Sequence, residues 1–284
     1  MPMPAPLPTI SAADLQAEVR LYREARVARL TAPNGWLTLV NKTWIDEGVS
    51  TMGGDPDCTI ALPPDRAPPH LGTFTRAGLA VRFDASPGVE ALVRGAPVRS
   101  LVLRAEADSS AERIAIGSLS IELIRRGDDL AVRVRDADHP ARRSFAGIPS
   151  YPADPSFWIP ASFEADSALV RVPLTDSDGR PQLATSVGLA TFEVGGSRCR
   201  LRLFDEDAGR QLFILFGDAT NRDETYGAGR FLYASNPVAG RVILDFNKAF
   251  NPPCAFTAFA ACPLPPPENR LAVRIEAGEK RPPA

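Results

Sequence analysis

The sequence has few of the residues from which common catalytic and metal sites are built. Among 284 residues there are 2 histidines and 4 cysteines, the latter at positions 58, 199, 254 and 262. No Cys-x-x-Cys, His-Glu-x-x-His, Gly-x-Ser-x-Gly or P-loop pattern occurs. The spacing therefore predicts no metal site, and it identifies no cofactor. Four cysteines in so long a chain do not form a disulfide framework, although a single Cys254–Cys262 bridge stays open.

Long apolar runs and an excess of one charge are also lacking. The longest uncharged stretch, 249–267, holds prolines at 252, 253, 263, 265, 266 and 267, which a membrane-spanning helix does not tolerate. The N-terminus lacks the basic start and apolar run of a secretory signal. Lys and Arg total 32 against 34 Asp and Glu, which argues against nucleic acid or an anionic membrane as partner. We expect a soluble, cytoplasmic protein with mostly reduced thiols.

Proline is abundant instead, and its 28 residues disfavour an all-helical protein because an interior proline breaks a helix. One helix is predicted over residues 12–30, where Leu15 and Val19 begin an apolar series at helical spacing. Ser11 and Asp14 have the spacing of a capping box at its start. The segment TAPNG then ends the helix.

The rest of the chain alternates apolar and polar residues, which is typical of strands with one face exposed to water. Alternating or buried apolar runs lie at residues 119–123, 130–134, 170–172, 199–203, 211–216, 241–246 and 271–275. RRGDD at 125–129 predicts a hairpin turn, and CPLPPPENRL at 262–271 an extended segment tied to the sheet by Asn269 or Glu268. A charged, small-residue stretch at 104–113 indicates a domain boundary, and the alternative is a solvated strand end or a helical turn.

These patterns predict a mainly β protein in three parts. The first is a Pro-rich tail and helix over 1–33, and the second is a small β-sandwich over 34–106. The third is a larger antiparallel β-sandwich or barrel over 112–284, which carries the candidate site.

Residues 48–63 and 72–98 resemble a forkhead-associated (FHA) sandwich. They read GVSTMGGDPDCTIALP and GTFTRAGLAVRFDASPGVEALVRGAPV. The family's phosphate-binding arginine would follow Gly53, but Gly54 stands there, and the family's Ser-x-x-His is replaced by Ala-Pro-Pro-His ending at His70. Without an arginine fork a phosphate dianion has little charge-assisted contact. The resemblance therefore implies the fold, and phosphopeptide binding is not expected.

A second resemblance covers most of the chain. The segments GWLTLVNKTWIDEG (35–48), FGDATNRDETYGAGRFL (216–232), LDFNKAFNPPCAFTAFAACPLPPPENRL (244–271) and IEAGEK (275–280) resemble the bacterial and archaeal domain-of-unknown-function family 1684. The resemblance implies a bacterial protein of that family, and it implies no activity.

Polar residues crowd the C-terminal part of the chain, beside apolar strands. The candidate ligand-binding residues are Tyr226, Arg230, Asp245, Asn247 and Asn251, and the weaker catalytic candidates are Asp218, Glu224 and Cys254. The Arg230 guanidinium has the planar fork that suits a carboxylate or a phosphate. Asp245 and Asn247 share one face of a strand if that strand continues past residue 245. The alternative is that the same residues only hold turns and loops together.

Three functional hypotheses follow. The leading one is a pocket in the C-terminal β domain for a small anionic molecule, held by Arg230 and oriented by Tyr226, Asp245 and Asn247. The second is a hydrolase that uses the same pocket with an acidic residue or Cys254. The third is a protein-interaction module that acts through the FHA-like sandwich. The sequence does not decide whether the protein is an enzyme.

Overall fold

A computed structural model describes residues 9–104, 112–206 and 210–283 of the chain. The chain divides into two compact units. The sandwich unit is Arg29–Phe145, and the helix–sheet unit is Met1–Ala28 together with Ala146–Ala284. Most of the predicted Pro-rich tail and of the charged 104–113 stretch lies outside the described residues. None of the described helices is both long and apolar enough to cross a membrane.

Helix α1 spans Ala12–Thr31, in agreement with the predicted helix. The Ser11 hydroxyl accepts a hydrogen bond from the Asp14 backbone N–H at 3.1 Å, which is the N-cap bond of the predicted capping box, and it donates one to the Asp14 carboxylate at 2.6 Å. Leu15 and Val19 are buried on one side of the helix. A buried arginine, Arg26, continues the same side at positions i+11 and i+7 from them.

The sandwich unit consists of two β-sheets. Its strands are β1 (Leu39–Ile45), β2 (Gly48–Gly53), β3 (Ile60–Ala61), β4 (Gly72–Ala77), β5 (Ala80–Ala85), β6 (Ala91–Val93), β7 (Ala96–Val98), β8 (Ser100–Arg104), β9 (Ile114–Ile116), β10 (Leu119–Arg126) and β11 (Asp129–Asp136). A six-stranded sheet has the order β1-β11-β10-β9-β6-β7, and a five-stranded sheet has the order β3-β2-β4-β5-β8. A short helix, α2 (Ala141–Ser144), follows β11.

The alternating patterns of β10 and β11 set the register of the predicted hairpin. Ile121 pairs with Val134 and Leu123 with Val132, and these four side chains are buried in one core. The turn closes at Gly127, whose φ of 59° lies in the left-handed region. The hairpin prediction is therefore confirmed.

The predicted boundary near 104–113 requires a correction. Strand β9 pairs with β6, and β11 pairs with β1, so the segment after residue 113 completes the first sheet. The sandwich unit accordingly ends at Phe145 and not at residue 106. The charged composition of 104–113 marked a connection within the sandwich unit, because β8 and β9 belong to different sheets of it.

The helix–sheet unit contains one antiparallel sheet of six strands. They are β12 (Trp158–Thr175), β13 (Pro181–Val194), β14 (Ser197–Glu206), β15 (Gln211–Phe216), β16 (Arg230–Ala234) and β17 (Arg241–Asp245), in the order β16-β15-β14-β13-β12-β17. The predicted runs at 170–172, 199–203 and 211–216 all lie in these strands. The mainly β fold with an N-terminal helix, a sandwich and a C-terminal antiparallel domain is thus confirmed.

The predicted last strand at 271–275 is wrong. A single bridge joins Gly217 to Arg270, the residue before this segment. Within the segment the Leu271 N–H donates to the Gly217 carbonyl at 2.7 Å and the Val273 carbonyl accepts from the Ala219 N–H at 3.0 Å, but no strand forms. The backbone N–H of Ile275 donates to the Asp218 carboxylate at 3.2 Å and not to a neighbouring strand. A side-chain acceptor has replaced the ladder partner that the alternation of residues predicted.

The proline-rich segment at 262–271 crosses the sheet as expected. The Asn269 side chain ties it down, since its Nδ2 donates to the carbonyls of Arg202 and Leu215 while its Oδ1 accepts from the Arg202 backbone N–H. Glu268 accepts from Arg202 Nε at 2.6 Å. Because proline has no backbone N–H that needs a partner, these few hydrogen bonds are enough to hold the segment in place.

Candidate functional site

Arg230, at the start of β16, is fully buried. One guanidinium nitrogen donates to the Asp218 carboxylate at 2.7 Å and to the Ile275 carbonyl at 2.8 Å. The other donates to the carbonyls of Ala277 and Glu279. The predicted role of Arg230 as the anchor of an anionic ligand does not fit this geometry, because the chain's own acceptors surround the fork and no surface of it is accessible.

Asp218 lies at the turn that follows β15. Its Oδ1 accepts from the Thr220 backbone N–H, the Thr220 hydroxyl and the Ile275 backbone N–H. The Asn221 side chain closes the turn from the other direction by accepting from the Asp218 N–H at 2.7 Å. Both carboxylate oxygens of Asp218 are engaged, so its contacts are those of a turn cap paired with Arg230 and not of an exposed acid or base.

A second buried ion pair joins α1 to the C-terminal segment. Arg26 Nε donates to Glu279 Oε1 at 3.0 Å, and another Arg26 nitrogen donates to the Asn251 carbonyl at 2.7 Å. Glu279 Oε2 accepts from the Asn251 backbone N–H at 2.7 Å. The Asn251 side chain donates to the Lys280 carbonyl at 2.8 Å. The predicted ligand-binding residue Asn251 therefore lies in a structural network within the unit.

The two buried arginines hold the same short segment, 275–280, from different elements. Arg230 donates hydrogen bonds to three carbonyl oxygens of this segment, and Arg26 forms an ion pair with the Glu279 carboxylate. Gly278 within it has a φ of 77°, and a Cβ at this position would lie 2.4 Å from the Ala249 carbonyl oxygen. The glycine is therefore required both by backbone conformation and by a close approach of two chain segments.

Asp245 and Asn247 do not share a strand face, which corrects the prediction. Strand β17 ends at Asp245, and residues Phe246–Lys248 form a 3-10 turn. The Asp245 carboxylate caps that turn by accepting from the backbone N–H and the side-chain amide of Asn247. The Asn247 amide also exchanges two hydrogen bonds with the backbone of Asp154. Side-chain bonding to the local backbone has ended the strand.

Glu224 lies at the surface among cations. Its two oxygens accept from Arg274 at 2.6 Å and from Lys280 at 2.9 Å. The hydrogen bond from Lys280 lowers the pKa of the Glu224 carboxyl against a smaller opposing effect of desolvation. The carboxyl is therefore ionised near neutral pH, which does not suit the general-acid role that was one of its predicted alternatives.

Tyr226, Cys254 and Cys262 are brought together. The Tyr226 hydroxyl donates to the Cys254 carbonyl at 3.0 Å, and the Cys254 backbone N–H donates to Cys262 Sγ at 3.3 Å. Both cysteines are free thiols, so the bridge that the sequence left open is not formed here. A hydrogen bond from Cys262 lowers the pKa of the Cys254 thiol to about 7, against the opposing effect of burial and with the help of Tyr226.

An open groove of about 380 Å³ lies beside the Asp218 turn. Arg222 and Arg270 line it and are exposed, and Gly217 and Gly227 contribute backbone. Within the described residues neither guanidinium is paired with a carboxylate. Asp218 also lines the groove, but its charge is matched by Arg230. The groove is therefore positively charged.

The residues that sequence reasoning missed are Arg26, Arg222 and Arg270. A signal existed for Arg26, which occupies the apolar stripe of α1. Arg222 and Arg270 become neighbours only because the 262–271 segment packs against the sheet. In the described part of the chain, no group of three or more His, Cys, Asp or Glu side chains is arranged to hold a metal ion.

Comparisons with solved structures found similar chains. An uncharacterized protein from Haloarcula marismortui, solved by NMR, is 29% identical over 49% of this chain and 78% of its own, with a TM-score of 0.42. An FHA domain studied for phosphothreonine-dependent interactions is 18% identical over 34% of this chain and 96% of its own, and its TM-score is 0.24. The FhaA FHA domain, complexed with an intracellular domain, is 16% identical over 33% and 97%, also with a TM-score of 0.24. The search of curated proteins gave no match.

The family comparison concerns the C-terminal half of the chain. The model described as "Protein of unknown function (DUF1684)" matches residues 143–280. The matched range contains every candidate site residue predicted from the sequence, and residues 35–48 lie outside it. Over residues 143–280 this chain is therefore similar to the DUF1684 family of proteins of unknown function.

Proposed function

We propose that the helix–sheet unit binds a small anionic molecule in the groove lined by Arg222 and Arg270. The observation that carries the proposal is that two exposed guanidinium groups border one groove without a carboxylate partner among the described residues. Planar guanidinium groups bind carboxylates and phosphates through paired hydrogen bonds. The predicted ligand class is kept, and the anchor moves from the buried Arg230 to these two residues.

The size and walls of the groove support the proposal. A volume of about 380 Å³ lies within the range of small-molecule sites. The wall is preorganised, because the Asn221 amide donates to the Thr225 hydroxyl at 2.9 Å and to the Tyr226 carbonyl at 2.8 Å. Backbone at Gly217 and Gly227 adds no side chain that would fill the space. A ligand would thus meet a formed site and little reorganisation.

The hydrolase alternative finds less support. Asp218 is matched by Arg230, and Glu224 is held by Lys280 and Arg274. Both histidines of the chain belong to the sandwich unit, so the helix–sheet unit has no imidazole to serve as a base for Cys254. Binding, and not hydrolysis, is the function that the charges of this unit favour. The cytoplasmic location expected from the sequence is part of the same proposal.

Titration of the full chain with citrate and with inorganic phosphate tests the proposal, followed by NMR at the amides of Gly217 and Gly227. We expect Arg222→Ala and Arg270→Ala each to weaken binding about tenfold or more, since a hydrogen bond to a charged group contributes about 1.5–3 kcal/mol. The matched control is Arg198→Ala, which removes an exposed arginine from β14. Equal weakening by the control would indicate attraction to general surface charge and would refute the site.

Native mass spectrometry of the purified protein gives the ligand class. A reproducible added mass that is lost on denaturation, and is absent from Arg222→Ala and Arg270→Ala, would identify the molecule. The same mass retained in both variants would place it elsewhere in the chain and would contradict the proposal.

A further inference from the structure

Cys254 and Cys262 lie at the two ends of a short loop whose far end is fixed. Cys254 belongs to the 3-10 turn Pro253–Ala255, which begins with the second of two consecutive prolines. At the other end, the Ser177 backbone N–H donates to the Cys262 carbonyl at 2.9 Å, and the Cys262 N–H donates to the Ser177 hydroxyl at 3.1 Å. The loop therefore returns to a defined position beside its start.

The return brings the two cysteines into direct contact. The Cys254 backbone N–H donates to Cys262 Sγ at 3.3 Å. With an N–Cα bond of roughly 1.46 Å, the Cα of Cys254 lies within about 4.8 Å of the Cys262 sulfur. A sulfur this close to the Cys254 Cα is within reach of the Cys254 thiol, as formation of a disulfide requires.

The two thiols differ in access. Cys262 is 3% exposed, whereas Cys254 is only partly buried. A reagent from solvent therefore meets Cys254 first, and Cys262 is positioned to react second. Because the rate of thiol–disulfide exchange depends on access to the attacking thiol, this difference makes Cys254 the attacking thiol and Cys262 the resolving one.

The surroundings of Cys254 favour its thiolate. The Tyr226 hydroxyl donates to the Cys254 carbonyl at 3.0 Å, and Tyr226 helps to lower the pKa of the Cys254 thiol. With a pKa of about 7, roughly half of Cys254 is ionised at neutral pH. Burial raises the pKa of the Cys199 thiol, whereas at Cys254 the same effect is outweighed by hydrogen bonds. The contrast separates a reactive thiol from a structural one within the same sheet unit.

We propose that Cys254 and Cys262 form a redox-active dithiol that exchanges with a small-molecule disulfide, R–S–S–R. The Cys254 thiolate attacks one sulfur, so that a Cys254–S–S–R bond forms while the R–S–S–R bond breaks. The released RS⁻ takes up the proton that Cys254 gave to solvent.

The Cys262 thiol completes the exchange. It attacks the Cys254 sulfur, and the Cys254–Cys262 bond forms as the second RS⁻ leaves and takes the Cys262 proton. In sum, two protein thiols are oxidised by two electrons, and one disulfide is reduced to two thiols. Tyr226 acts as a positioning residue through the Cys254 thiolate.

The test uses the reduced full chain and oxidised glutathione at pH 7, with acid quenching and mass spectrometry. We expect a product lighter by two hydrogen atoms. Chymotryptic cleavage after Phe256 and Phe259 should leave two peptides that stay joined through Cys254 and Cys262. Cys262→Ser should instead keep glutathione attached to Cys254, because no second thiol displaces it. Cys199→Ser is the matched control and should behave as the parent chain does.

Two results would overturn the proposal. One is a parent chain that accumulates glutathione on Cys254 without an internal bond, since Cys262 would then not be a resolving thiol. The other is a Cys254 that reacts only after denaturation, since the pair would then be inert packing.

The role of Tyr226 has a separate readout in the pH dependence of Cys254 alkylation by iodoacetamide. The parent chain should show a midpoint near pH 7. Tyr226→Phe should move the midpoint upward and slow alkylation at pH 7 several-fold, whereas an unchanged midpoint would remove Tyr226 from the proposal.

Discussion

Replacing Arg230 by alanine should destabilise the helix–sheet unit and not merely remove a binding contact. The guanidinium holds the Asp218 carboxylate and three carbonyl oxygens of the 275–279 segment, all in a fully buried position. Loss of one partner of a buried ion pair costs about 3–5 kcal/mol, because the other charge stays buried without its partner. The truncated side chain also leaves a void beside Phe216, whose ring lies 5.2 Å from the guanidinium carbon.

Urea unfolding followed by tryptophan fluorescence measures this loss. Trp158 begins β12, in the helix–sheet unit, so a Trp36→Phe/Trp44→Phe background reports on that unit alone. With an m-value of about 2 kcal/mol/M, the expected loss lowers the midpoint by about 1.5–2.5 M urea. Arg222→Ala is the matched control, and as an exposed substitution it should change the free energy of unfolding by less than about 0.5 kcal/mol.

Equal midpoints for Arg230→Ala and Arg222→Ala would refute the reasoning. If Arg230→Ala yields no folded protein, Arg230→Lys keeps the charge but not the planar fork, and it should unfold between the parent and the alanine variant. A Lys variant as stable as the parent would show that the fork geometry contributes nothing.

Two further predictions concern the backbone and pH. Gly278→Ala should lower the melting temperature clearly more than Gly179→Ala, because both glycines have positive φ but only Gly278 has backbone within 3 Å of a new Cβ; equal shifts would contradict the close approach. Burial opposes ionisation of Glu122, but Arg135, Arg133 and Arg113 outweigh it and lower the Glu122 pKa. A carboxyl group whose pKa is lowered by folding stabilises the folded state at pH values above its unfolded pKa of about 4.3. This stabilisation is lost as the pH falls through the pKa of the folded state. In Glu122→Gln the stability of the sandwich unit should therefore depend less on pH, as measured by circular dichroism between pH 5 and 2. An acid-unfolding profile equal to that of the parent chain would refute this prediction.

Local sequence patterns predicted the secondary structure correctly where residues close in sequence determine it. The cap at Ser11, the hairpin at Gly127 and the alternation in β10, β11 and β14 depend on side chains a few residues apart. Pattern failed at 271–275, where alternation predicted a strand. The partner of the Ile275 N–H is the Asp218 side chain, 57 residues away, and no local signal carries that information.

The candidate site shows the same division. Sequence alone picked out the polar C-terminal cluster and the cysteines, because chemistry-bearing residues are visible one by one. Their roles depend on burial and on partners distant in the chain: Arg230 is enclosed by the 275–279 carbonyls, while Arg222 and Arg270 border one groove. The sequence by itself determined the mainly β class, the helix and the inventory of polar groups. Only the tertiary structure decided which charges are neutralised and which face water, because accessibility and electrostatic pairing arise when the segments pack together.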